Sequence, residues 1–187
     1  MTDSDETLAL RARSGDREAF DSLVGRHKSV LYGYCRRYAG DADDAVDILQ
    51  DAFVAAWMGL SRYDARRPFA AWLRTITLNK CRDFGRRRSV RRLFLARFER
   101  EQAPPTAPLQ ADTPADPQNE RLDRLEREIA TLPSAYKEAL LLTTFGGLSQ
   151  QQAACELGIS VKAIEMRIYR ARRQLAVRLE MQANQPS

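Results

Sequence analysis

The chain has 187 residues, 44% hydrophobic and 29% charged, which allows one large domain or two small ones around an ordinary core. Three widely spaced cysteines with no Cys-x-x-Cys, and one histidine, exclude a disulfide framework, a Cys/His zinc site and a histidine-based triad. The net charge of +5 is unevenly placed: residues 1–60 carry −4, residues 61–100 carry +10 and residues 101–187 carry −1. A positive field concentrated in one stretch points to a polyanionic partner.

Taken in order, the polar, acidic start lacks a signal peptide, and no apolar run approaches the roughly 18 residues of a membrane span. A soluble, cytoplasmic protein is expected. A short helix is predicted from about Asp5 to Ser14. Asp16 opens a long one with Phe20, Leu23, Val24, His27, Val30, Leu31, Tyr34, Cys35 and Tyr38 at spacings of three and four. On that row His27 reads as a satisfied, half-buried residue rather than a ligand, and Cys35, like Cys155 further on, as ordinary packing. Gly40 ends the helix.

Asp41 and Asp44 begin the next helix, with Ala45, Ile48, Leu49, Ala52, Phe53, Ala56, Trp57 and Leu60 inward. Its other side shows Asp43, Asp47, Gln50 and Asp51, an acidic face that repels DNA and is either solvated surface or the seat of a basic or helical protein partner. A loop, Ser61 to Arg67, carries Arg62, Arg66 and Arg67, and Pro68 suits a helix's first turn. That helix, from Phe69 to about Arg88, buries Phe69, Trp72, Leu73, Ile76 and Phe84. Arg74, Arg82 and Arg86 lie along one flank, and Arg86, Arg87 and Arg88 make a cationic end. Near that flank Asn79 has an amide able to donate to and accept from a base edge. A separate short helix is allowed over Ser89 to Arg100, with Val90, Leu93, Phe94 and Phe98 on one side.

Residues 101–117 hold five prolines and three acids with no Lys, Arg or aromatic, so they read as an extended linker. Asp116 and Pro117 look like a cap and first-turn proline for a helix burying Leu122, Leu125, Ile129 and Leu132. Pro133 breaks it, and another helix, Ala135 to Phe145, carries Ala139, Leu140, Leu142 and Phe145. Ser149 with Gln152 forms a capping box for a helix ending at Leu157, and Gly158 turns the chain. Ser160 caps the last helix, whose apolar row is Ile164, Ile168, Ala171, Leu175 and Leu179. Lys162, Met166, Tyr169, Arg170 and Arg173 fall opposite that row, the arrangement of a helix-turn-helix reading a major groove. The expected fold is therefore all-α: two small helical domains, residues 1–100 and 118–187, joined by an acidic linker.

On four stretches the chain resembles the extracytoplasmic-function sigma factors of the bacterial sigma-70 group. These are DREAF (Asp16 to Phe20), DAVDILQDAFVAAW (Asp44 to Trp57), RPFAAWLRTITLNKCRDFGRRR (Arg67 to Arg88) and LSQQQAACELGISVKAIEMRIYRARRQL (Leu148 to Leu175). RPFAAWL, LNKCRD and SVKAIE look most like members that control heavy-metal resistance. The resemblance implies that Asp47, Gln50, Asp51 and Phe53 dock on the β′ clamp helices of core RNA polymerase, with the β flap as a further contact. It assigns −10 recognition and melting to Arg66, Asn79, Lys80, Arg82, Arg86, Arg87 and Arg88. It assigns −35 recognition to Ser160, Lys162, Glu165, Met166, Arg167, Tyr169, Arg170 and Arg173. It also implies an anti-sigma factor, often membrane-bound, and neither catalysis nor a cofactor or metal.

Two residues depart from the family pattern. Glu165 stands where many members carry a basic or small residue; it either accepts from a base such as cytosine N4 or pairs with Lys162 or Arg172. Thr75 replaces a residue often basic in relatives. Two rival functions fit the sequence less well. A stand-alone helix-turn-helix regulator leaves the basic helix of the first domain without a purpose, and a nuclease lacks clustered carboxylates and phosphate-binding glycines.

Overall fold

The computed structural model describes residues 3–98 and 117–183, and the described residues form eight α-helices, one 3-10 turn and no strand. The predicted linker, with the Asp116 cap, lies outside the described residues except for Pro117. Helix α1 (Asp5–Arg13) is capped by Ser4, α2 (Arg17–Ala39) by Asp16 and α3 (Ala42–Gly59) by Asp41. In each case a side-chain oxygen accepts from a first-turn N–H left without an intrahelical partner. Gly40 closes α2 at φ +80°, a conformation that a Cβ would strain.

After the 3-10 turn Leu60–Arg62 comes α4, Phe69–Phe98, one continuous helix of 30 residues and about 45 Å. The break expected after Arg88 is absent. Between Arg88 and Phe98 there is no proline, glycine or capping pair to end the hydrogen-bonded ladder, so the apolar spacing simply continues. Val90 and Phe94 on this extension are exposed rather than packed.

Helices α1–α4 close on Leu8, Leu23, Leu31, Ile48, Leu49, Phe69 and Leu73. Phe69 anchors this bundle: its ring meets Tyr63 edge-on at 5.5 Å and its N–H donates to Glu6 Oε1 at 3.2 Å. His27 Nε2 donates to Asp5 Oδ2 at 2.7 Å beside the same ring, the satisfied role expected of it. Several residues expected inside are not. Val30 and Leu122 are 61% and 55% exposed, and Trp57 and Phe145 are each 38% exposed. A three-four rhythm identifies a helix face but not how far along it a neighbour extends.

The second half comprises α5 (Pro117–Thr131), α6 (Ser134–Thr144), α7 (Gln150–Leu157) and α8 (Val161–Ala183). Its core is Ile129, Leu132, Leu141, Leu142, Ala153, Ile164, Ile168 and Leu175. The predicted capping box forms: Gln152 N–H donates to Ser149 Oγ at 3.2 Å, and Ser149 N–H donates to Gln152 Oε1 at 2.9 Å. Gly158 turns at φ +65° and Ser160 Oγ accepts from Ala163 N–H, so α7 and α8 make a helix-turn-helix. Cys155 is exposed on α7, contrary to the packing role expected of it, while Cys35 and Cys81 are buried. Burial, and then the adjacent Cys35, hold the Cys81 thiol well above its ordinary pKa.

The two halves pack together. Lys137 of α6, 6% exposed, donates from Nζ to Ala130 O at 2.6 Å and to Tyr38 O at 3.0 Å. Both carbonyls belong to the last turn of a helix, α5 and α2, where no intrahelical N–H remains to meet them. The ammonium thus caps one helix end from each half, on the favourable side of both helix dipoles. Arg88 does the same for Ala39 O at 2.7 Å.

Candidate nucleic-acid interface

The residues expected at the −10 element all lie on α4 or the loop before it, but the structure divides them by partner. Asn79 is exposed, with only a 3.5 Å contact from Arg82 Nη1 to its Oδ1, and Lys80 is half-buried. Arg82 turns away to a two-point grip on Glu138 of α6, Nε to Oε1 at 2.9 Å and Nη2 to Oε2 at 2.7 Å. Arg66 is held by Asp64 at 2.9 Å, and hydrogen bonds from Arg66 take the Asp64 carboxyl down to about 2. Arg86 pairs with Asp83, and Arg87 reaches Asp51 of α3 at 4.0 Å. Arg88 is occupied with the end of α2. Thr75, the departure on this helix, faces solvent and donates back to Ala71 O at 2.9 Å.

On α8, Lys162, Glu165, Met166, Tyr169, Arg170 and Arg173 are exposed together and Arg167 is half-buried, while Ile164, Ile168 and Ala171 are in the core. The capped turn ahead of the helix sets this register, and the exposed row lies opposite the apolar one, as the spacing predicted. Ser160 is engaged as the helix cap. Glu165 Oε2 lies 3.5 Å from Lys162 Nζ, an exposed i,i+3 pair.

Asp47, Gln50 and Asp51 are exposed on α3, whereas Phe53 is half-buried and meets Phe20 edge-on at 6.5 Å. Beside this acidic face lie Val54, Trp57 and Met58, with Met58 77% exposed. Val54 and Met58 were missed from the sequence; apolar residues four apart on a face otherwise acidic are the signal that finds them. Among the described residues there is no group of three or more His, Cys, Asp or Glu able to hold a metal ion, and no helix long and apolar enough to cross a membrane.

Among the described residues, an all-helical fold with a helix-turn-helix in one half and a long arginine-rich helix in the other is the arrangement of a DNA-binding protein. Comparison with known families narrows the class. The sigma-70 region 2 model matches residues 23–91 and the sigma-70 region 4 model matches residues 122–175. The chain is 38% identical over 182 residues to the RNA polymerase sigma factor CnrH of Cupriavidus metallidurans, covering 95% of each chain. It is 40% identical over 187 residues to the sigma factor NccH of Alcaligenes xylosoxydans xylosoxydans, covering 96% of this chain and 98% of the relative. The ECF sigma factor SigM of Mycobacterium tuberculosis is 32% identical over 178 residues, covering 92% of this chain and 83% of that one. In three dimensions the chain superposes on CnrH solved in complex with the cytosolic domain of CnrY, with a TM-score of 0.70, 36% identity, and coverage of 98% and 100%. The chain belongs to the extracytoplasmic-function sigma factors of the sigma-70 family. Similarity to sigma factors along nearly its whole length sets aside the stand-alone regulator.

Proposed function

We propose that this chain is a promoter-specificity subunit that acts only when mounted on core RNA polymerase. Residues 1–100 dock on the β′ clamp helices through Asp47, Gln50, Asp51 and Phe53, with Val54, Trp57 and Met58 adding apolar contact. The same domain recognises and melts the −10 element. Arg66, Lys80, Arg82, Arg86, Arg87 and Arg88 set the phosphate register, and Asn79 captures a base that has left the stack. Flipping a base costs a few kcal/mol, so the capturing contact has to exist only in the melted state. Residues 118–187 read the −35 element with α8 and touch the β flap, and residues 101–117 tether the two.

The observation that carries this reading is the joint occurrence, in one chain, of a basic α4 and a helix-turn-helix whose outward row is Lys162, Met166, Tyr169, Arg170 and Arg173. Phosphate contacts set affinity and its salt dependence, while base contacts set sequence. The protein works in the cytoplasm and has no enzymatic activity of its own. An anti-sigma factor controls it, as the CnrH–CnrY complex suggests. Its similarity to CnrH and NccH supports a response to metal or envelope stress. Transcription in vitro with purified core polymerase on a randomised promoter pool tests the whole. Enrichment of templates sharing two elements at a fixed spacing is expected, and no sigma-dependent transcript would refute it.

A further inference from the structure

Arginines along most of the seam between the halves are matched by carboxylates: Arg36 and Arg37 by Asp123 and Glu126, Arg74 by Glu156 and Arg82 by Glu138. One place departs from this. Where the end of α2 meets α4, α5, α6 and α8, a cleft of about 930 Å³ is walled by Arg88, Arg92, Arg127, Lys137 and Arg178. That size falls within the roughly 300–1,000 Å³ of small-molecule sites. Arg88 and Lys137 direct their hydrogen bonds to the uncharged carbonyls of Ala39, Tyr38 and Ala130. Arg178 donates to the Thr131 hydroxyl and lies 3.8 Å from Glu128. Arg92 and Arg127 have no ion pair or hydrogen bond among the described residues. Two acids, Asp41 and Asp44, share the walls, and Asp41 is engaged as the cap of α3. The cleft is therefore positive, and the crowding registers at Lys137, whose ammonium is brought down first by burial and then by Arg88.

Two unsatisfied donors meet the same space. Tyr38, 2% exposed, lines the cleft, and its hydroxyl completes no hydrogen bond although Ser134 lies beside it. Burial pushes that hydroxyl up to about 12, so it keeps its proton and can donate. A buried donor without an acceptor is costly, and such groups are rare in folded proteins. The second donor is the start of α6. Helices α1, α2, α3, α7 and α8 each take a side-chain cap, but α6, which follows Pro133, has none. The N–H groups of Tyr136 and Lys137 reach Pro133 O at 2.9 and 3.0 Å, whereas that of Ser134 has no partner among the described residues. Pro133 and Ser134 both line the cleft. The positive end of the α6 dipole is thus added to the five side-chain cations.

We infer that this cleft binds a small oligophosphate, whose oxygens accept from the Tyr38 hydroxyl, the first N–H of α6, Arg92 and Arg127. An uncapped helix N-terminus and free guanidinium groups are both recurring donors to phosphate. Arg88, Lys137 and Arg178 add their field while keeping the bonds they already make. The volume and the surplus of charge favour a chain of phosphates over a single one. The buried Tyr38 hydroxyl is reached only between helices, which suits a compact anion better than a polymer gripped along its backbone. Because the donors come from both halves, the bound anion stabilises the folded chain in proportion to its affinity.

The test is titration calorimetry of the full-length protein with inorganic triphosphate, without magnesium, at about 150 mM salt. One-to-one binding is expected, at least about tenfold tighter than orthophosphate, since each charge-assisted hydrogen bond is worth roughly tenfold. Arg92→Gln/Arg127→Gln should weaken it by about tenfold or more, and both side chains are exposed, so the fold is spared. Tyr38→Phe removes only the unpaired hydroxyl and should weaken it about tenfold as well. Arg62→Gln/Arg67→Gln, at two exposed arginines outside the cleft, should leave the affinity unchanged. ATP in place of triphosphate identifies the source: equal or tighter binding assigns a nucleotide, weaker binding a free oligophosphate, and either occupies the proposed site. No binding at about 1 mM, wild-type affinity in either cleft variant, or equal loss in the control pair overturns the proposal. So does displacement of triphosphate by a 20-nucleotide single strand at equal phosphate concentration, which would assign the cleft to nucleic acid.

Discussion

Lys137→Met is the substitution that most directly probes the seam between the halves. In the folded protein, burial first and the nearby Arg88 second bring the Lys137 ammonium down to about 8 from an ordinary 10.5. At roughly 1.36 kcal/mol per decade of acidity, that gap corresponds to about 3 kcal/mol. Below pH 8 the folded and unfolded chains both hold the proton, and the cost of burying the charge is present in full. Between pH 8 and 10.5 the unfolded chain retains a proton that the folded chain has released, so this residue makes stability rise with pH. Methionine fills a similar volume and cannot titrate. It also leaves Tyr38 O and Ala130 O without their donor, at about 1–3 kcal/mol each, which near neutral pH offsets the relief of the buried charge. The Cys81 thiol, held up by burial and by Cys35, pulls stability the opposite way over the alkaline range, but it is present in both proteins. The informative quantity is therefore the difference between the two proteins in urea denaturation from about pH 7 to about pH 10. Wild type should gain on the variant by up to about 3 kcal/mol. A difference that stays constant to within about 0.5 kcal/mol would show that Lys137 is not buried as described.

Single contacts give further expected outcomes. Asn79→Ala should lower open-complex formation more than closed-complex binding, measured by permanganate reactivity and filter binding; equal losses, or none, count against base capture. Arg173→Ala should weaken −35 binding across sequences and reduce the salt slope by about one, and an unchanged slope removes its phosphate role. Gly40→Ala and Gly147→Ala both place a Cβ at positive φ, but only the first meets a neighbour, Ala130 at 2.5 Å. The strained φ costs about 1–2 kcal/mol at either site, and overpacking should add about 1–3 kcal/mol at Gly40 alone. Equal losses in thermal denaturation would mean that the halves do not touch there. Ser149→Ala breaks the capping box and should cost about 1 kcal/mol in the helix-turn-helix half; a melt unchanged by the substitution would discount the cap.

Local rules carried much of the fold. Ser149, Gln152, Gly158 and Ser160 act through hydrogen bonds and backbone angles confined to a turn of helix, so the helix-turn-helix and its outward row were readable directly. Asp16, Gly40 and Asp41 marked helix ends for the same reason. The rules failed where an element's fate depended on what lay beside it. Trp57 and Val30 have core-like spacing, yet no neighbouring helix extends fully over them. Cys155 keeps a helical rhythm but faces solvent. The helix end predicted near Arg88 failed because no proline, glycine or capping pair stands there to stop the ladder.

What the sequence determined alone was the all-helical class, the charge map and the family, since each depends on short-range patterns that survive without knowledge of packing. Only the tertiary structure decided the state of the arginines. Arg74 and Glu156 are 82 positions apart and Arg82 and Glu138 are 56 apart, and no periodicity reaches across such distances. An exposed cation and one locked onto a buried carboxylate look identical in a string of letters. The difference between them arises when two helical faces come together and exclude the water that would otherwise screen both charges.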